Sequence, residues 1–232
     1  MELEAESQTL DGTHSEPDPH HLPDFNESSL KVPRRPILYL PPLLSKLPPG
    51  FSHPLPELLG AYRPLATETH LPNIDPASLQ LHKALHRFHP LSDEYAETPY
   101  ENAFNWDELV LPEESEREWY VVVFHSKRKE GSDGGPLYEA DKQAHEEAVR
   151  NGGLIMYWYG VPHPETGLNL ATCIWQSRAH AIAATSQPHH VRAMRLAAAS
   201  YERYELRRYR LRKVRGERAL RVEPYDRGDV GW

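Results

Sequence analysis

An α+β fold built around a ferredoxin-like antiparallel sheet is predicted by three features of this 232-residue chain. The stretch from Glu118 to Val214 reads as strand, helix, strand, strand, helix, strand, the βαββαβ order of a split βαβ plan. Of 22 prolines, 17 precede Trp119 and five follow it, so regular structure is concentrated in the second half. Charged residues at 26% and hydrophobic residues at 39% suit a soluble chain with a packed core.

These features divide the chain into residues 1–31, a disordered acidic tail; 32–117, a Pro-rich extended wrap with one short helix at about 76–89; 118–223, the ferredoxin-like domain; and 224–232, a C-terminal tail. The first segment places eight carboxylates ahead of Lys31, its only basic residue, and has little to bury. Such a start does not suit a signal or transit peptide. No run approaches the ~20 apolar residues of a membrane span. Cys173 is the only cysteine, which removes an intrachain disulfide. The expectation is a cytoplasmic protein, with the nucleus as the alternative, and no membrane partner.

In the wrap, Ile37, Leu38, Tyr39, Leu40, Leu43, Leu44, Phe51, Leu55, Leu58 and Leu59 alternate with prolines. A free linker has no use for so many apolar side chains, so the strip is expected to lie on the folded domain in extended form. Asp75-Pro76 is a helix start, with the carboxylate as N-cap and proline at the first helical position. Leu81, Leu85 and Phe88 then share one face. His82, His86 and His89 line the next stripe at spacings that can chelate a metal, yet no further ligand stands at a usual spacing. They are read as solvated, and no metal is expected.

Trp119 to Phe124 is β-branched and aromatic on both faces, the mark of a central strand. Tyr138 to Arg150 reads as a helix stopped by Asn151-Gly152-Gly153. Leu154–Tyr159 and Leu168–Gln176 form the next two strands, joined by a Gly160–Gly167 loop. Ser177 caps a helix through Thr185, and Pro188 interrupts it before helix resumes to Ser200. Tyr201 to Val214 is the last strand, an edge strand whose alternation shifts phase at Arg207-Arg208 and so predicts a β-bulge there.

Alternation places Met156 and Trp158 on one sheet face and Ile155, Tyr157 and Tyr159 on the other, with Ala171, Cys173 and Trp175 opposing Leu170, Thr172 and Ile174 on the following strand. Both faces are apolar, and two helices cover only one. The other must meet the N-terminal strip, a ligand, or a second copy of the chain, which makes a homodimer through the sheet an option if the wrap leaves it open. A pocket between sheet and helices would be lined by Tyr157, Tyr159, Trp175, Arg192 and Tyr204 as ligand-binding residues. His125, His189 and His190 are the candidate acid–base groups, since histidine titrates near neutrality. Nine basic residues between Tyr201 and Arg221 raise RNA binding as an option. The stacking aromatic pair of an RNA-recognition sheet is missing and the net charge is −8, so nucleic acid is not expected. Phosphate-loop, dinucleotide, zinc-protease, paired-cysteine and nucleophile-elbow motifs are absent, and no cofactor is expected.

The runs Tyr100–Trp106, Glu118–Ser126, Gly153–Gly160, Ala171–Ser177 and Tyr201–Leu206 resemble the UPF0643 family of uncharacterised fungal proteins. That resemblance spans most of the chain after about Arg34 and implies a fungal origin. It brings no catalytic residue with it. More loosely, the strand order and the Trp175–His180 segment are similar in architecture to the antibiotic-biosynthesis-monooxygenase type of dimeric α+β barrel, whose members include cofactor-free oxygenases and isomerases. The expected function is therefore binding of a small apolar or aromatic molecule. The alternatives are a cofactor-independent monooxygenase- or isomerase-like enzyme of secondary metabolism and an RNA- or protein-interaction module.

Overall fold

The computed structural model describes residues 19–20, 35–41, 74–131 and 135–231. Within them the chain is an α+β structure centred on a six-stranded sheet, antiparallel at every junction. The elements run β1 (Ile37–Tyr39), α1 (Pro76–Ala84, continued by a 3-10 turn at Leu85–Arg87), α2 (Tyr100–Ala103), β2 (Arg117–Arg128), α3 (Gly135–Asn151), β3 (Leu154–Tyr159), β4 (Leu168–Trp175), α4 (Arg178–Thr185), α5 (Pro188–Ser200), β5 (Tyr201–Lys213) and β6 (Arg221–Pro224). The strand order is β1-β3-β4-β2-β5-β6.

The β-branched, aromatic β2 lies in the middle, paired with β4 from Tyr120↔Trp175 to Lys127↔Leu168 and with β5 along its whole length. Its continuous apolar run has a use because both faces of the sheet are covered. On one side stand α3, α4 and α5. On the other lies the segment from Leu81 to Leu111, whose Phe88, Tyr95, Tyr100, Phe104 and Trp106 pack against Trp119, Val121, Trp158, Ile174, Tyr209 and Leu211. Hydrogen bonds fix the layer: Trp119 Nε1 donates to Ser78 Oγ at 2.8 Å, and the Tyr100 hydroxyl meets Thr172 Oγ1 at 2.8 Å. Much of this sheet face is thus covered by the chain itself.

Asp75 caps α1 as expected, accepting from Ser78 N at 2.9 Å, and its carboxylate also pairs with Arg117 at 3.0 Å. Arg117 is 1% exposed, so Asp75 joins the N-terminal layer to a buried cation at the start of β2. The α3 helix ends at Gly152 and Gly153, with φ of 85° and 83°. At Gly153 the His180 ring leaves no room for a side chain, with a Cβ placed 2.3 Å from its Cγ.

Several expectations are corrected. The sheet has two strands beyond the predicted four: Ile37–Tyr39 pairs with β3 and Arg221–Pro224 with β5. Ile37–Tyr39 is a hydrogen-bonded strand, and Tyr39 and Leu40 are buried. Leu43, Leu44, Phe51, Leu55, Leu58 and Leu59 lie outside the described residues, as does nearly all of the acidic tail. Because β6 pairs with it, β5 is not an edge. Its register is continuous through Arg207-Arg208, and the bulge falls at Glu202, between the pairs Lys127↔Arg203 and Arg128↔Tyr201. A second bulge at Ile155 puts that residue with Met156 in the core under the Leu81–Leu111 layer, not beside Tyr157. The helix begun at Pro76 becomes a 3-10 turn at Leu85 and stops at Arg87, short of His89. His82 is fully buried, with Nε2 2.9 Å from the Pro41 carbonyl and its ring stacked on His20, so it is not a solvated residue. The end of the chain also packs: Val230 is buried and Gly231 bridges to Ser177.

Candidate functional site

The helix-covered face of the sheet is floored by the side chains that alternate toward α3 and α5: Tyr120, Val122 and Phe124 of β2, Ala171, Cys173 and Trp175 of β4, Tyr157 and Tyr159 of β3, and Tyr204 and Leu206 of β5. Above them α3 and α5 present Ala144, Ala148, Ala193 and Ala197. Alanine reaches a short way from a helix, so helices bearing alanine over a tyrosine floor leave space. The result is a cavity of about 710 Å³, within the usual range for small-molecule sites. Its mouth carries Ile182, Met194, Tyr204 and Leu206, four of the six large hydrophobic side chains that stand exposed among the described residues.

Polar groups reach this cavity from α3 and also from Ser126 and Arg128 of β2, Asn169 of β4, His190 of α5, and Tyr204 and Arg208 of β5. Asp141 and His145, one turn apart, both line it. His145 is 4% exposed; its Nδ1 lies 2.5 Å from the Tyr159 hydroxyl and its ring packs at 4.7 Å on Tyr39 and 4.9 Å on Tyr157. Burial lowers its pKa to about 3, helped by nearby His190, so the imidazole is neutral through the physiological range. Asp141 makes no hydrogen bond or ion pair among the described residues, and burial pushes its carboxyl up to about 6. Burial also raises the hydroxyls of Tyr157 and Tyr159 well above their ordinary value, with the Asp141 charge adding to it. Cys173 is pushed up to about 12 by burial, against the Trp175 Nε1 that donates to its sulfur at 3.0 Å. Burial thus keeps it in the protonated thiol form.

Of the residues expected from sequence, Tyr157, Tyr159, Trp175, Tyr204 and His190 all line this one cavity. His190 reaches it from the first turn of α5, whose N-terminal amides at His189 and His190 donate to Glu147 at 3.1 and 3.2 Å. Burial lowers the His190 pKa. His189 and Arg192 are exposed on α5 and do not line the cavity. His125 lies on the opposite sheet face, beside a separate polar cleft of about 410 Å³ with Glu97, Arg203 and Arg207, and burial followed by the Arg207 charge lowers its pKa. Asp141 and His145 were not singled out by sequence reasoning. The available signal was their i, i+4 spacing among Ala140, Ala144 and Ala148, a small-residue face that faces aromatic strands.

The basic residues of β5 are paired locally. Arg210 and Arg212 meet Glu118, Arg212 also meets Glu223, and Arg207 and Arg203 meet Glu205. Among the described residues no group of three or more metal-ligating side chains is placed to hold an ion. No helix among them is long and apolar enough to cross a membrane.

Three kinds of likeness accompany this geometry. A family model described as PB2B2.08-like matches residues 61–224. The UPF0643 protein PB2B2.08 of Schizosaccharomyces pombe is 33% identical over 149 residues, covering 57% of this chain and 68% of that protein. Among solved structures, SnoaB, a cofactor-independent oxygenase from Streptomyces nogalater, shares 12% identity over 44% of this chain and 99% of that one, with a TM-score of 0.35. A proposed monooxygenase from Lactobacillus acidophilus shares 10% identity over 50% of this chain and 56% of that one, with a TM-score of 0.34.

Proposed function

The chain belongs to the PB2B2.08-like family, the UPF0643 proteins, and from that premise we propose that its sheet-helix cavity binds a small apolar or aromatic molecule. The observation that carries this reading is the cavity itself: about 710 Å³, floored by tyrosine, phenylalanine and tryptophan, roofed by alanine, and opening through an apolar rim. A core that existed only for stability would gain by closing this space, because dispersion contacts are lost along every unfilled wall. Reading residues 118–223 as a ferredoxin-like unit is supported by the two crossovers, through α3 and through α4–α5, and by the order β3-β4-β2-β5 within the sheet. The residues from Leu81 to Leu111 then serve as a second layer that frees the helix side for a ligand.

The test uses the full chain and the neutral fluorescent probe N-phenyl-1-naphthylamine. Saturable binding at one site is expected. Ala171 lies on the floor between Phe124 and Tyr159, so Ala171→Phe points a ring into the space. This variant should keep its melting temperature within a few degrees and lose the probe. Unchanged probe binding in Ala171→Phe, or none in the parent chain, refutes the reading.

A further inference from the structure

Away from the cavity, the histidines around α1 present two ring nitrogens whose hydrogens are already committed elsewhere. Pro19 and His20 lie beside Leu40 at the end of β1: the Leu40 amide donates to the Pro19 carbonyl at 2.7 Å, and His20 Nδ1 stands 2.9 Å from the Leu40 carbonyl. A carbonyl only accepts, so His20 Nδ1 carries the hydrogen. His86 is fixed the same way, with Nδ1 3.1 and 3.2 Å from the carbonyls of His82 and Lys83 one turn back. A neutral imidazole has one N–H, which leaves Nε2 of both residues as a lone pair. Those two Nε2 atoms meet at 3.1 Å. Facing lone pairs repel unless a positive charge stands between them. Beside them lies a third imidazole, His82, with its ring centroid 5.8 Å from that of His20 and 5.5 Å from that of His86, and with its buried Nδ1 lacking a hydrogen-bond partner among the described residues.

We propose that His20 and His86 bind a zinc ion between their Nε2 atoms. Two nitrogens about 2.0–2.1 Å from a tetrahedral zinc stand about 3.3 Å apart, close to the 3.1 Å between this pair. Two imidazoles on one such ion have centroids about 5.2 Å apart, and those of His20 and His86 are separated by 5.1 Å. Metal-binding histidines donate their other ring N–H to a carbonyl or carboxylate, which orients the ring, and both rings here do so. A proton is the rival occupant and competes best in acid, whereas neutral imidazole favours a divalent ion of the zinc type. Water completes the shell, since no group of three or more metal-ligating side chains converges among the described residues. Helical spacing offers His86 no such partner, but the fold brings one from 66 residues away. The ion joins residues 19–20 and the end of β1 to α1. It shares no residue with the sheet-helix cavity, so it stands or falls apart from the ligand-binding reading.

Zinc chloride titrated into the full chain near neutral pH, followed by calorimetry and by thermal melting, tests the site. One ion per chain is expected, with a melting temperature that climbs with zinc concentration, because an ion that binds only the folded chain stabilises it. His20→Gln and His86→Gln should each weaken zinc by about 10-fold or more and, without zinc, melt close to the parent. His89→Gln, exposed on the same stripe with Nδ1 against the Arg87 carbonyl, should bind as the parent does. Affinity should fall as the pH is lowered through the imidazole range, where protons compete for the same nitrogens. In the parent chain, imidazole nitrogen NMR should show zinc shifting the Nε2 signals of His20 and His86, a readout that needs no variant to fold. Zinc affinity unchanged in both glutamine variants, or lost equally in His89→Gln, means adventitious binding by other histidines and overturns the proposal. So does a folded parent chain that takes up no zinc while its spectra show a proton shared between His20 and His86.

Discussion

If Asp141 is held in the cavity at a cost, removing its charge should stabilise the protein, and only at high enough pH. The carboxyl has an ordinary value of 3.8 and is pushed to about 6 in the folded chain. Moving a carboxyl that far corresponds to about 3 kcal/mol between its two protonation states. Because the residue is only partly buried, we expect about 2 kcal/mol. The sign follows from proton binding. Between about pH 4 and pH 6 the folded state holds a proton that the unfolded state has released, so stability falls as pH rises through this window, and above it the whole penalty is present. Asp141→Asn has the same volume and no charge. Urea denaturation of both chains at pH 4 and pH 8 should therefore give equal midpoints at the lower pH and a variant about 2 kcal/mol more stable at the higher one, with unchanged slopes. Comparing variant with parent cancels every titration they share. A variant equally stable or weaker at pH 8, or a gain that does not depend on pH, would show that the Asp141 carboxyl is well solvated and would sink the argument.

Asp75→Asn should cost about 3 kcal/mol, at the lower end for breaking a buried pair, because it removes the carboxylate charge paired with the 1%-exposed Arg117 while Asp75 itself keeps 23% exposure. Burial would raise the Asp75 carboxyl, but hydrogen bonds from Ser78 and the Arg117 charge outweigh it and hold it low. The contribution is present above the unfolded carboxyl range and lost as pH falls through the depressed folded value, so the acid limb of the stability curve should flatten in Asp75→Asn. Arg117→Met should cost less than Asp75→Asn in the same denaturation assay, since the remaining carboxylate still caps α1 and reaches solvent. Tyr159→Phe should cost about 1 to 3 kcal/mol by leaving the buried His145 Nδ1 without its partner, and adding His145→Leu should recover part of that loss. Gly153→Ala, at φ 83° with its Cβ driven into His180, should destabilise by more than about 1 kcal/mol on thermal melting.

What could be read from sequence followed the strength of the local signal. β2 was legible because its apolar run has no competing pattern, and α3 because Gly152-Gly153 ends it. β1 was not legible: three residues between prolines carry little period, and their pairing with β3 is a long-range event. Two adjacent charges at Arg207-Arg208 look like a phase shift and so predict a bulge there. In the structure, the even-numbered Arg208 and the odd-numbered Arg207 point to opposite faces, each with its own carboxylate or polar surroundings, and the register does not move until Glu202. The helical stripe predicts a solvated His82, but its partner is the Pro41 carbonyl, which α1 alone does not reveal. At the site, the floor was legible from alternation within strands. Its roof was not, because the signal for space is an absence of bulk. Alanine at helix-facing positions reads equally as tight packing, and only the separation of α3 from β3 tells the two apart.

The two faces of this sheet divide the work. Under the Leu81–Leu111 layer, rings fill the space: Phe88 stacks on Phe104 at 4.5 Å, Tyr95 meets Trp158 at 5.0 Å and Tyr100 meets Tyr209 at 4.8 Å. Rings buried in edge and stacked pairs add to the area they remove from water, so this side contributes packing that does not depend on the helix side. That leaves the helix side able to forgo contacts. There α3 and α5 pack on each other through Ala140, Ala144 and Ala193, which brings the helices close together and leaves them unfilled toward the floor. A sheet stabilised from one side can carry a void, a strained carboxyl and an exposed apolar rim on the other. The same reasoning separates substitutions by face. A large-to-small change at Trp158 or Phe104 should lower stability by about 3 to 5 kcal/mol, whereas Ala171→Phe, across the sheet, should act on ligand binding alone, because the volume it adds is already empty.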